Sequence, residues 1–477
     1  MSSKFYEKFD KRASSKETKK NNNKPQFSNK DNRKDSKAPR STYKKDNNNK
    51  KYDNHHKDEE KRYTLCNSLF TTDKLDKDTN YILQHFDDIV QGVRPLNSRQ
   101  LQQLPDNIKA LSHQLTDKRS ERRLGYMNDN IQLSSYVRYY TWWNLVRLTR
   151  LFSNLPTSSF PSEDGICLDL GTGPLTVVTS LWLARPELRK LKLSWYCLDV
   201  SSNSMVLGED LYMSIAARTC KDGENPWNIV RVKGSFGTSL KKKSNFITCA
   251  NMFNELDQAG DMPPEYQVKK YFEQLKVYSD TNCKYLLIEP GVPKATRTLS
   301  LMRSRFISSG KEINSPCPSF YECPMNGYKA YTGSHNKWCN FCFSTEDAPQ
   351  RLLKLSELAK LPKERATLIF ISAVNKGEVE KIKGNNNALT VRITSDPFKL
   401  PNNMAGYYGC SRFGLTLIRT KGKYERVELD KNRPGKAKDI LVVKGPFNSG
   451  DLLSVKIKTP DGYLETDEKS GAVIIDL

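Results

Sequence analysis

Apolar residues recur at three- and four-residue spacings through TNYILQHFDDIVQGV and SRQLQQLPDNIKALSHQL, which predicts amphipathic helices from about residue 64 to 155. The stretch NIQLSSYVRYYTWWNLVRLTRLFSNL continues this pattern and sets Tyr136, Tyr139, Tyr140, Trp142 and Trp143 among Arg138, Arg147 and Arg150. Aromatic residues interleaved with arginine can stack on a nucleic acid. At helical spacing they also make a buried stripe, and core packing is the expected role. From 164 to 295 the pattern changes. GICLDL, KLSWYCLDVS, NIVRVKGSF, SNFITCA and KYLLIEPG read as strands, with LTVVTSLWLA, SNSMVLGEDLYMSIAAR and YQVKKYFEQLKVYS as helices between them. Strands alternating with helices predict a doubly wound α/β domain, a parallel sheet covered on both faces. ATLIFISAV and LTVRITSDP read as further strands, and 403–477 as a small β-rich end region with Gly and Pro turns. The expected division is a tail at 1–62, a helical part at 63–158, an α/β domain at 159–402 and the β-rich region at 403–477. A cysteine-rich, metal-binding insertion is expected at 311–345 within the α/β domain.

The first strand of the α/β series runs into Asp169-Leu170-Gly171-Thr172-Gly173-Pro174 and then a helix. Glycines at 171 and 173 permit a tight turn and let a ligand lie against backbone at the carboxyl edge of the sheet. Position 176 is Thr where a dinucleotide fingerprint has its third glycine, so a pyrophosphate is not favoured. An acid two residues before the first glycine suits a ligand with an ammonium group, and Asp199, closing the second strand, is placed to accept from ribose hydroxyls. These residues resemble the class I S-adenosylmethionine-dependent methyltransferases. The resemblance implies cofactor binding by Asp169, Gly171, Gly173 and Asp199, with Asn251, after the fourth strand, near the transferred methyl. No Asn-Pro-Pro-Tyr motif is present, and Cys249 lies inside a strand, so no catalytic residue is assigned.

Charge narrows the partners. Lys and Arg number 77 against 54 Asp and Glu, a net charge of +23. The Asn- and Lys-rich tail offers little to bury and is expected to be disordered. Without residues 1–60, 59 basic residues face 44 acidic ones, so the folded part keeps +15. Such an excess points to a polyanion, most economically nucleic acid. No run approaches about 18 apolar residues and the mean hydropathy is −0.69, so no membrane partner is expected. With no apolar leader in MSSKFYEKFDKRASS, eleven cysteines are expected to be reduced thiols, some of them metal ligands.

Five of those cysteines stand out. SPCPSFYECP and KWCNFC put Cys317, Cys323, Cys339 and Cys342 in loop-like sequence, and spacing alone suggests a four-cysteine zinc site. An iron–sulfur cluster is compatible, since it takes four thiolates and can draw one from far away. The order LDLGTGP, LLIEPG, SPCPSFYECP, WCNF, VRITSDPF and YYGCSR, over about residues 80–420, is similar to the methyltransferase-like assembly proteins of the mitochondrial small ribosomal subunit and their bacterial relatives. That resemblance implies a four-iron, four-sulfur cluster (4Fe-4S) on Cys317, Cys323, Cys339 and Cys410, with Cys342 spare; Arg412, two residues after Cys410 in YYGCSR, is expected to offset the cluster's net negative charge. It also implies small-subunit ribosomal RNA as partner, either as methylation substrate or as RNA held by a non-catalytic assembly factor. A monomer is expected, in a bacterial cytoplasm or, alternatively, a mitochondrial matrix.

Overall fold

The chain enters its fold as a strand where a helix was expected: Tyr63–Asn67 (β1) pairs antiparallel with Leu452–Lys456 near the other end of the sequence. The computed structural model describes residues 62–116, 125–256, 262–328, 337–380, 388–428, 439–457 and 464–477. Residues 1–61, the tail expected to be disordered, lie outside them.

The predicted helical part follows as α1 (Lys77–Gln84), α2 (Phe86–Val93), α3 (Ser98–Thr116), α4 (Asn130–Tyr136) and α5 (Trp142–Asn154). Asp76 and Asp129 cap α1 and α4 by accepting from backbone N–H groups of the first turn. A π-helical turn, Val137–Thr141, joins α4 to α5. The aromatic–arginine stretch takes the core-packing role. Trp142 and Trp143 are buried and donate their indole N–H groups to the Leu83 carbonyl and the Ser356 hydroxyl. Buried Arg138 donates to Gln91 and to the Arg94 carbonyl.

The predicted α/β domain contains β2 (Gly165–Leu170), α6 (Thr176–Ala184), β3 (Leu193–Asp199), α7 (Ser202–Thr219), β4 (Asn228–Lys233), β5 (Ser244–Ala250), α8 (Phe253–Leu256), α9 (Pro264–Tyr278), β6 (Ser279–Glu289), α10 (Pro293–Ser308) and β7 (Glu312–Ser315). After these come β8 (Phe341–Ser344), α11 (Gln350–Leu358) and β9 (Arg365–Val374). The sheet order is β4-β3-β2-β5-β6-β9-β7, with β8 also on β9. β2 to β6 run parallel and β9 is antiparallel to its neighbours. The sheet is therefore doubly wound, and its winding reverses between β2 and β5. Burial on both faces explains the near-continuous apolar runs that made these strands readable. Phe246, Trp182 and Trp195 are fully buried in this core.

The rest of the chain forms β10 (Ala388–Ile393), β11 (Phe398–Leu400), β12 (Met404–Ser411), β13 (Gly414–Lys421), the hairpin β14 (Lys423–Glu428) and β15 (Asp439–Lys444), β16 (Leu452–Lys456) and β17 (Val473–Asp476). The second sheet has the order β1-β16-β10-β12-β13-β17. LTVRITSDP thus supplies a strand of this second sheet and not of the α/β sheet with which it was grouped. Among the described residues no helix is long and apolar enough to cross a membrane.

Candidate functional site

In an open α/β sheet, ligands bind beyond the carboxyl ends of the strands where the winding reverses. Here that point lies between β2 and β5, and a cleft opens there in two adjoining lobes. One lobe, of about 690 Å3 including its open mouth, is lined by Gly171, Asp199, Val200, Ser201, Gly234, Ser235 and Phe236, among others. The other, of about 570 Å3, is lined by Gly171, Thr172, Gly173, Tyr136, Asn144 and Asn251, among others. Tyr126, Met127, Asp199, Met252 and Glu255 border both.

The turn is shaped as its glycines predict. Gly171 and Gly173 have φ of 64° and 52°, the left-handed region that glycine enters without steric cost. The Gly171 and Thr172 N–H groups donate to the Leu198 carbonyl, at 2.9 and 3.2 Å. Asp199 ties the turn to β3: one carboxylate oxygen accepts from the Gly173 N–H at 2.9 Å and the other from the Ser201 N–H at 2.8 Å. Burial raises its carboxyl above the ordinary value, and the Ser201, Gly173 and Val200 amides oppose that rise. A carboxylate accepts about four hydrogen bonds, so capacity remains for a ligand hydroxyl. Asn251 follows β5 in the left-handed region, at φ 63°. Its N–H donates to the Ile288 carbonyl, and its side-chain oxygen accepts from Arg147 at 3.3 Å.

Asp169 stands apart from these. It is fully buried behind the turn and borders neither lobe. One oxygen accepts from the Thr248 hydroxyl at 2.7 Å, and the other has no hydrogen-bond partner among the described residues. Burial pushes its carboxyl from 3.8 up to about 7. A raised carboxyl binds its proton more tightly in the folded state, so its stabilisation is full below the unfolded value and is lost as pH rises through 7. At 1.36 kcal/mol per unit, the rise corresponds to an upper figure of about 4 kcal/mol. Asp169→Asn is expected to remove most of that slope, with urea unfolding at about pH 4.5 and pH 7.5 as the measurement.

Several lining residues carry no sequence signal. Tyr126 and Met127 come from the helical part, which is fastened over the cleft where Ser201 and Asn203 donate to Asn128. Tyr136 immediately precedes the π-helical turn, a distortion common at functional sites. Phe236 follows the third strand, where the alternation of strands and helices could have pointed to it.

A second cavity lies between the two sheets. Cys317, Cys323, Cys339 and Cys410 all line it, with Arg303, Arg392 and Thr394. Burial pushes the Cys339 and Cys410 thiols well up, and the neighbouring thiols push the same way. Cys342 is elsewhere. Its sulfur takes a hydrogen bond from Arg365 at 2.9 Å and lies 3.5 Å from Asp396. Among the described residues no group of three or more His, Cys, Asp or Glu is arranged to hold a metal ion. The compact zinc site on Cys317, Cys323, Cys339 and Cys342 is therefore not formed. Arg412, expected beside the site, is exposed and lies over the Phe413 ring.

Residues 161–394 match the family described as mitochondrial small ribosomal subunit Rsm22. No curated protein matches the chain by sequence. Among solved structures, a ribosomal protein L11 methylase from Lactobacillus delbrueckii subsp. bulgaricus is similar at 14% identity, over 36% of this chain and 71% of that one, with a TM-score of 0.24. A SAM-dependent methyltransferase from Geobacter sulfurreducens, in complex with S-adenosyl-L-homocysteine, is similar at 11% identity, over 49% and 90%, with a TM-score of 0.28. Magnesium protoporphyrin IX methyltransferase from Synechocystis PCC 6803 is similar at 11% identity, over 63% and 100%, with a TM-score of 0.27.

Proposed function

We propose that the chain, whose residues 161–394 match a small-ribosomal-subunit family, binds S-adenosylmethionine in the two-lobed cleft and acts on small-subunit ribosomal RNA during assembly. The observation that carries this reading is the cleft itself, where the Gly171–Gly173 turn and the Asp199 carboxylate bound to it lie side by side at the point where the sheet reverses. Asp199 would accept from the ribose, and the Gly171–Gly173 turn would face the methionine end. Asn251, held by Arg147, would border the methyl group. Asp169 would act behind the turn and not on the ligand.

A second reading is a non-catalytic factor that holds immature RNA with the same fold. One observation favours it: burial pushes the Tyr136 phenol, beside the cleft, well above its ordinary value. Transfer of a radiolabelled methyl group to small-subunit RNA separates the two readings. Both predict RNA binding that weakens steeply with salt, about a thousandfold between 50 and 200 mM if six phosphates are contacted. The full chain and one beginning shortly before Arg62 should bind alike by filter binding. Loss of binding in the shorter chain would assign the RNA contact to the tail. The family's description favours the mitochondrial matrix over a bacterial cytoplasm, and we propose a monomer there.

We further infer that Cys317, Cys323, Cys339 and Cys410 hold a 4Fe-4S cluster. Four thiols lining one cavity ionise together only when a cation neutralises them. The described residues include no group of three or more His, Cys, Asp or Glu that could hold a metal ion, so this reading rests on the family resemblance and on the four cysteines sharing one cavity. When bound, the cluster would join the segment after β7 to β12 of the second sheet.

A further inference from the structure

We propose that Tyr266 and Tyr328, with the cations held over their rings, form a stacking platform for single-stranded RNA at the same edge of the sheet as the cleft. The proposal rests on the RNA reading above and names the form of RNA and the surface that takes it. Among the described residues, six large aromatic side chains are exposed: Tyr81, Tyr266, Phe320, Tyr321, Tyr328 and Phe413. Scattered singly, such residues need no explanation. Four of the six, however, belong to one region, the first turn of α9 and the segment 319–328 beside α10. That segment runs back along α10: Arg303 donates to the Ser319 carbonyl at one end. At the other, a Cβ added to Gly327 would stand 2.4 Å from the Pro293 carbonyl oxygen.

Two of the four rings carry a cation. The Lys270 Nζ lies 4.8 Å from the centroid of Tyr266, and the Arg297 guanidinium lies 4.8 Å from that of Tyr328. Arg297 also donates to Glu265, the residue before Tyr266, so the two pairs are tied together and the charge of Glu265 is met. The Tyr328 N–H donates to the Asn326 side chain at 2.8 Å, which fixes that ring from the chain side. Even so, Tyr266 and Tyr328 remain 51% and 58% exposed. Every base has a π-face that can stack on such a ring, while neighbouring cations meet the phosphates. A ring already oriented by a cation loses little freedom when a base arrives. Bases in a duplex are stacked on one another and offer no free face, so the platform selects single strands. The surface adjoins the cleft. Five residues along α9 from Tyr266, about 7.5 Å, Tyr271 packs on Phe236 of the cleft wall, with ring centroids 5.7 Å apart.

The test measures fluorescence anisotropy of a labelled oligoadenylate of about 15 nucleotides, long enough to cover such a site, with the full chain. Tyr266→Ala, Tyr328→Ala and the two Phe variants are compared with wild type, and an RNA duplex of equal length is measured in parallel. Tyr81→Ala is the control, because Tyr81 is as exposed but lies on α1. Each Ala variant at the platform should weaken binding of the single strand about 5- to 100-fold, with the salt dependence unchanged because no phosphate contact is lost. The Phe variants and Tyr81→Ala should stay within about twofold of wild type. Wild-type affinity in both platform Ala variants would overturn the inference while leaving RNA binding by the chain intact. Equal loss in the Phe and Ala variants would also overturn it, since the ring would not be the contact. So would wild type that binds small-subunit RNA but prefers the duplex to the single strand. Absence of binding by wild type to either oligomer and to small-subunit RNA would remove the RNA reading, and the inference with it.

Discussion

Gly208→Ala is expected to destabilise the protein by about 2–3 kcal/mol and to weaken S-adenosylmethionine binding at least tenfold, although Gly208 borders neither lobe of the cleft. Gly208 lies in the middle of α7, and a Cβ added there would stand 2.3 Å from the carbonyl carbon of Pro174. The obstacle is backbone and cannot rotate away. Either α7 or the turn from Gly171 to Pro174 must move, and the Asp199–Gly173 hydrogen bond depends on that turn's position. Gly92→Ala is the control: nothing lies within 4 Å of its added Cβ, so helix propensity should make it neutral or stabilising by up to about 1 kcal/mol. Urea unfolding and calorimetric titration of both variants read the two effects separately. A Gly208→Ala protein with wild-type stability and affinity would mean that the turn is not fixed by α7.

The second large effect is expected at Cys410. Cys410→Ser should lose most of its bound metal and become sensitive to protease across the junction of the two sheets, whereas Cys342→Ser keeps its metal. Thiolate ligation contributes directly to folding free energy, and Cys410 is the ligand that the second sheet would supply to the proposed cluster. Cys342 faces Arg365 and Asp396 instead, where a serine hydroxyl can replace the thiol at a cost of about 1 kcal/mol or less. Iron analysis and limited proteolysis of the two variants check this. Metal lost from Cys342→Ser and kept by Cys410→Ser would reverse the assignment.

The positions of Cys342 and Cys410 also indicate what a sequence reveals and what it conceals. Cys342 is three residues from Cys339, which made it the nearer choice by spacing. Along extended chain, successive side chains alternate faces, and an odd separation sends the two sulfurs to opposite sides as the chain enters β8. The distant Cys410 comes back through strand pairing, which spacing cannot register. The doubly wound sheet was legible because its strands are apolar runs between helices, and the turn because Gly171 and Gly173 end such a run. Asp199 and Asn251 were legible from their strand ends. Asp169 was legible as a residue but not in its place, since nothing in LDLGTG says that its side chain turns into the core. Tyr63–Asn67 was read as helical because its neighbours are, and its strand character depends on Leu452–Lys456, almost 400 residues away. Arg303 carries no signal in the sequence; only packing shows that it is buried and lines the cysteine cavity.

Calorimetric titration of the full wild-type chain with S-adenosylmethionine, repeated with S-adenosylhomocysteine, tests the central claim most directly. The account predicts saturable binding at one site by both ligands, weakened at least tenfold in Asp199→Ala, which removes the acceptor holding the Gly173 turn. Absence of binding by wild type at millimolar ligand would contradict it.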